Sequence, residues 1–136
     1  MADIRPVTPD FAVAPQLLPG ELAEAKARGF VFVINNRPDG EAPGQPTAAE
    51  MKAAAEAQGL GYAHIPVVGR PTEAQVKAVA EAAAGAGGPA LAFCRSGTRS
   101  IVSWSLGQIS LGEAGRPREE IVRLGEAAGY DLSSVI

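Results

Sequence analysis

Ala90-Leu91-Ala92-Phe93-Cys94-Arg95-Ser96-Gly97-Thr98-Arg99-Ser100 is the stretch on which the reading of this chain turns. Four apolar residues make a short buried strand that runs directly into Cys94. Helical spacing begins near Ser100 and continues from Ile101 to Leu111. In open α/β sheets, ligands sit beyond the carboxyl ends of the strands, which is where this topology puts Cys94. The next six residues hold two Arg, two Ser, one Thr and one Gly. A loop that curls and then enters a helix aims successive backbone N–H groups into one concavity, and the helix adds the positive end of its dipole. Gly97 supplies the backbone freedom that such a curl needs. The same field favours thiolate over thiol, so Cys94 reads as a nucleophile set in an anion cradle. A lone Cys after a strand is most often a small buried hydrophobe. The donor-rich loop and following helix are what lift this one out of that class.

Outward from this stretch, strands and helices alternate. Phe11 to Ala14 is a short strand, and Glu21 to Arg28 a helix stopped by Gly29. Phe30 to Ile34 is continuous, apolar and β-branched, the composition of a strand buried on both faces. A polar loop with three Pro and two Gly spans Asn35 to Pro46. Thr47 with Glu50, and Thr72 with Gln75, have the spacing of capping boxes that open helices. Between those helices, Tyr62 to Val68 reads as a strand. Arg118 to Ala128 makes a last helix after Pro117. Strands separated by helices of about ten residues imply parallel pairing with right-handed crossovers. The expected fold is therefore α/β, a mostly parallel central sheet flanked by helices, in one domain over residues 1–136.

Composition narrows the function. The 136 residues carry a net charge of −3 and offer no broad basic surface, which argues against nucleic acid as a partner. No apolar run is long enough to span a membrane, and the N-terminus lacks an apolar leader. One Cys and one His allow neither an internal disulfide nor a multi-Cys metal site, and nothing calls for a cofactor. A lone Cys fits a reducing compartment, so a cytoplasmic protein is expected.

The loop resembles two families that share cysteine-in-a-loop chemistry. Tyrosine and dual-specificity phosphatases carry Cys-x5-Arg, whereas rhodanese-type sulfurtransferases carry a shorter Cys-x4-Arg. Gly97 suits both, but Arg99 has the sulfurtransferase spacing, and Ser100 stands where a phosphatase has its Arg. Three further stretches narrow the resemblance: Val33 to Glu41, His64 to Val67, and Ala128 to Ser133. With the loop they resemble the beta-lactamase hydrolase-like protein, phosphatase-like domain family (the former DUF442 group), over roughly residues 8 to 134. That resemblance implies a dual-specificity protein tyrosine phosphatase-like fold. Members are described variously as candidate phosphatases and as sulfurtransferases. Some are fused to a persulfide dioxygenase of metallo-β-lactamase fold, which makes such an enzyme an expected partner of this chain.

Phosphoryl transfer requires an acid to protonate the leaving oxygen. Related phosphatases carry an Asp for this on the loop that here reads Val67-Val68-Gly69-Arg70-Pro71, without a carboxylate. Sulfur transfer expels sulfite or a thiolate and needs no proton. The expectation is a sulfurtransferase that loads thiosulfate or persulfide sulfur onto Cys94, with Arg99 as its catalytic partner. Arg95, Ser96, Gly97, Thr98 and Ser100 bind the anion. The alternatives are a phosphatase acting on a phosphoester through a Cys94 phosphocysteine, and a non-catalytic module that binds anions or accepts sulfur. Arg37 and Asp39, from the 35–46 loop, are further contributors, Asp39 as a substitute acid, although Pro38-Asp39-Gly40 is also ordinary turn chemistry. Asn35 and Asn36 suit Asx-type loop bonds, His64 a structural role, and Trp104 the core.

Overall fold

A computed structural model describes residues 1–136. Its sheet contains β1 (Arg5–Thr8), β2 (Phe11–Ala14), β3 (Phe32–Asn35), β4 (Gly61–His64) and β5 (Ala90–Phe93), in the order β1-β2-β5-β3-β4. β1 runs antiparallel to β2, and every other pair is parallel. The helices are α1 (Leu22–Ala27), α2 (Ala48–Ala57), α3 (Glu73–Ala84), α4 (Thr98–Ser110) and α5 (Arg118–Ala128).

Side chains alternate across the sheet, as the pleat requires. Val13, Ile34, Ala90 and Ala92 face one way, against Val79 of α3, Ile101 and Trp104 of α4, and Ile121 of α5. Ala12, Ala14, Val33, Leu91 and Phe93 face the other way, against Leu22 and Ala25 of α1 and Met51 and Ala55 of α2. Two apolar layers with helices outside each explain why the central strands read as continuous apolar runs. Trp104 lies in the core, stacked on Phe11 with ring centroids 5.2 Å apart. Both capping boxes form: Thr47 accepts from the Glu50 N–H, and Thr72 from the Gln75 N–H.

The structure corrects several boundaries. β1 has no counterpart in the sequence reading, because Arg5-Pro6-Val7-Thr8 lacks an apolar run. Pro6 is tolerated because β1 pairs on one side only, at the sheet edge. The strand read over Tyr62 to Val68 ends at His64, since Pro66 has no N–H to continue the ladder. Its track persists through Ile65 N–H to the Asn35 carbonyl at 2.9 Å and Val67 N–H to the Asn36 carbonyl at 3.0 Å. The strand read over 30–34 lies at 32–35, and α4 begins at Thr98, two residues earlier than the spacing predicts.

One consequence of this register matters for function. Ala14 and Asn35 are both level with Phe93, and His64 is level with Asn35. The chain therefore leaves β2, β3, β4 and β5 at one edge, around Cys94. Leu91, fully buried in the central strand, holds this edge in place. Leu91→Ala should cost about 2–5 kcal/mol in denaturant unfolding. Leu111→Ala, at a half-exposed position, should stay within about 0.5 kcal/mol. Equal losses in the two variants would refute this account of the core.

Candidate active site

The turn from β5 into α4 is set by Gly97, which has φ +91° and serves as the N-cap of α4. A side chain there would be strained by that φ, and its Cβ would also collide with the Tyr130 hydroxyl. Tyr130 donates to the Ser96 carbonyl at 2.8 Å, so the residue that forbids a side chain at 97 also pins the turn. Gly97 N–H points back into the curl and donates to Cys94 Sγ at 3.1 Å. Ser96 Oγ donates to Thr98 Oγ1 at 2.9 Å and accepts from the Thr98 N–H at 3.3 Å. The backbone N–H groups of Arg95, Ser96, Arg99 and Ser100 have no acceptor within the chain. Unsatisfied donors at the start of a helix form an anion-binding arrangement.

Cys94 has no exposed surface, so a donor reaches Sγ only when its surroundings open. Arg99 lies close enough for its guanidinium to interact with the Cys94 sulfur. It is also gripped from the other side. Its two terminal nitrogens donate to both oxygens of Glu41 at 2.8 Å, and Nη1 donates to the Val67 carbonyl at 2.8 Å. This bidentate carboxylate holds Arg99 above the usual guanidinium range.

Glu41 joins two cations. Arg37, almost wholly buried, donates through Nε to Glu41 Oε1 at 2.9 Å and through Nη1 to Gln16 Oε1 at 3.0 Å. Hydrogen bonding from Arg99, with a further contribution from Arg37, pulls the Glu41 carboxyl down to about 2, although burial opposes this. Gln16 closes the circuit, its N–H donating to the Arg95 carbonyl at 3.2 Å.

The structure places the remaining expected residues as follows. Ser96, Gly97 and Thr98 form the turn itself, and Arg95 lies beside it with an exposed side chain. Ser100 is fully buried and donates to Asn36 Oδ1 at 2.8 Å, so its hydroxyl serves loop order rather than an incoming anion. Arg37 is no open anion contact, because Glu41 and Gln16 occupy its guanidinium. Asp39 does not fold over the cradle. Its carboxylate accepts from the Ala48 N–H at 2.7 Å, complementing the N-terminus of α2. Asn35 makes the Asx turn, accepting from the Arg37 N–H at 2.9 Å. His64 Nε2 donates to the Arg37 carbonyl at 2.8 Å, a structural role. Sequence reasoning missed Glu41, Gln16 and Tyr130 as parts of the site. Only spacing marks Glu41, four residues after Arg37, and that spacing carries no meaning in an irregular loop.

The family model for "Beta-lactamase hydrolase-like protein, phosphatase-like domain" matches residues 3–111. A beta-lactamase hydrolase-like protein of Agrobacterium fabrum is 40% identical over 123 residues, 90% of this chain and 28% of that protein. This chain thus spans under a third of the length of the curated relatives it matches. The crystal structure of a candidate phosphatase from Neisseria meningitidis superimposes with a TM-score of 0.85 at 31% identity. That match covers 98% of this chain and 93% of the other. Tk-PTP in its active form gives a TM-score of 0.71 at 20% identity, covering 97% and 88% of the two chains, a likeness of fold.

Two outcomes test the site. Gly97→Ala should destabilise the protein by about 1–3 kcal/mol in thermal or denaturant unfolding, as left-handed backbone is lost to a side chain. The depressed Glu41 carboxyl stabilises the fold fully above its ordinary value of 4.5, and this contribution disappears as pH falls to about 2. Urea unfolding at several pH values should therefore show a decline over that window that Glu41→Gln lacks. Parallel profiles for the two proteins would contradict the ion-pair assignment.

Proposed function

This chain belongs to the beta-lactamase hydrolase-like protein, phosphatase-like domain family, and from its site we propose that it transfers sulfur through a persulfide on Cys94. The observation that carries this reading concerns the carboxylates. Glu41 is the one carboxylate bonded to the Cys94–Arg99 machinery, and it is held ionised by two guanidinium groups. Asp39 is committed to α2, and the 67–71 loop has no acid. A phosphoester or other alkoxide leaving group needs a proton at the transition state, and no group here is arranged to give one. Sulfite and thiolates leave as anions.

In the proposed cycle, the unsatisfied N–H groups of the loop and Arg99 bind the anionic donor. The Cys94 thiolate attacks the outer sulfur. An S–S bond forms at Sγ, the donor's S–S bond breaks, and its electron pair leaves with sulfite or with an organic thiolate. An acceptor thiolate then takes the same sulfur and restores the Cys94 thiolate. Charge and atoms balance in both halves with no oxidant. Gly97 N–H, which bonds Sγ in the resting protein, stabilises the negative charge that Sγ carries before the attack and regains when the acceptor removes the sulfur.

The phosphatase-like fold and the candidate phosphatase from Neisseria meningitidis support a second reading, phosphoryl transfer through a Cys94 phosphocysteine. Intact-mass spectrometry after thiosulfate treatment separates the two. The wild-type protein should gain one sulfur atom and Cys94→Ser none. Arg99→Lys, which loses the bidentate fork, should reduce the loading rate by about 10²-fold. Absence of a sulfur adduct, with Cys94-dependent hydrolysis of an aryl phosphate, would establish the phosphatase instead.

A further inference from the structure

The end of α5 and the edge strand β1 are both tied to the Cys94 loop, through Tyr130 and Arg5. α5 ends in two successive bonds, from Gly129 N–H to the Glu126 carbonyl at 3.0 Å and from Tyr130 N–H to the Gly125 carbonyl at 2.8 Å. With Gly129 at φ +94°, this is a Schellman motif. It turns the chain out of the helix and fixes the backbone from which the Tyr130 ring projects. Tyr130 is buried, and its hydroxyl donates to the Ser96 carbonyl at 2.8 Å. Arg5 holds its guanidinium carbon 5.1 Å from the centroid of the Tyr130 ring, and it is kept there by Asp3 and the Ala128 carbonyl. A cation over an aromatic face draws on its electron density, which makes the phenol a stronger donor. Burial raises the Tyr130 phenol above its ordinary value while Arg5 opposes the rise, so the hydroxyl keeps its proton.

The Ser96 carbonyl and the Gly97 N–H belong to one trans peptide plane. Its oxygen end accepts from Tyr130, and its nitrogen end donates to Cys94 Sγ at 3.1 Å. Hydrogen bonds in such a chain polarise one another, so a stronger donor at the oxygen leaves a more positive N–H at the sulfur. Arg99, the other group close to Sγ, is fixed independently by Glu41 and the Val67 carbonyl. Resting on the sulfur-transfer reading, we propose that Tyr130 is a positioning residue for the discharge half of the cycle, acting on Cys94 through the Ser96–Gly97 peptide. In that half an acceptor bonds the outer sulfur, the Sγ–S bond breaks, and its electron pair returns to Sγ. Negative charge grows at the atom that Gly97 N–H contacts. In loading, charge moves off Sγ, so the help from this relay belongs to discharge.

The test loads Cys94 of the full chain with thiosulfate, removes the excess, and adds cyanide as acceptor. Intact mass follows the loss of the extra sulfur, which departs as thiocyanate. Wild type is compared with Tyr130→Phe, which lacks the donor, and with Tyr130→3-fluorotyrosine, whose phenol is more acidic. Tyr130→Phe should slow discharge about twofold to fourfold, the size of one lost polarising neighbour on a charge-assisted bond. Tyr130→3-fluorotyrosine should discharge faster than wild type. A residue that only anchors the turn would give the two phenols equal rates. That result, or an unchanged rate in Tyr130→Phe, overturns the proposal while leaving sulfur transfer standing. Nuclear magnetic resonance of the unloaded protein reads the relay without sulfur chemistry. The Gly97 amide proton should move downfield from Tyr130→Phe to wild type to Tyr130→3-fluorotyrosine, and loss of that order also overturns the proposal. Absence of any thiosulfate adduct removes the sulfur-transfer reading and the discharge role with it, and an ordered Gly97 resonance would then still establish the relay.

Discussion

The bond from Gly97 N–H to Cys94 Sγ is the constraint on which the site depends. It exists because one residue takes a left-handed backbone between the end of β5 and the start of α4. A side chain at that position would disturb three things together: the direction of α4, the aim of the loop N–H groups, and the contact with Tyr130. The turn is also anchored from outside, by Tyr130 on Ser96 and by Gln16 on Arg95. Cys94, the loop donors and the helix dipole are thus fixed by one bend.

The second organising contact is electrostatic. Glu41 lies in a loop with little regular structure, yet its carboxylate joins a nearly buried Arg37 to Arg99 across the site. A charge as buried as Arg37 is tolerated only when paired. Glu41 and Gln16 meet that requirement, and Asp39 at α2 ties down the same loop. The loop that looked like a source of a catalytic acid instead orients an arginine. That change in role is the basis of the proposal that the leaving group departs without a proton.

Much of this was legible beforehand, and the reasons differ by residue. The apolar runs at 11–14 and 90–93 and the two Thr capping boxes carry periodic or local signals, and the structure contains all of them. The Cys94–Ser100 loop was legible because its chemistry is contiguous in sequence. Local rules did not reach β1, whose Pro6 and Arg5 are compatible with a strand only at an edge. Glu41 and Tyr130 meet the site across long sequence separations, 58 residues between Glu41 and Arg99 and 34 between Tyr130 and Ser96. Ser100 shows the opposite case: adjacent in sequence to the cradle, it is turned inward to Asn36 by the first turn of α4.

The complete burial of Cys94 also bears on how the protein withstands oxidants. It is the only cysteine in the chain, so a disulfide could form only with a second molecule. Such a bond requires two sulfurs to approach to about 2 Å, and two copies whose Cys94 side chains are both fully buried offer each other no such approach. The enclosure therefore keeps copies of the protein from cross-linking. It also means that any partner of the sulfur must first part the loop around it.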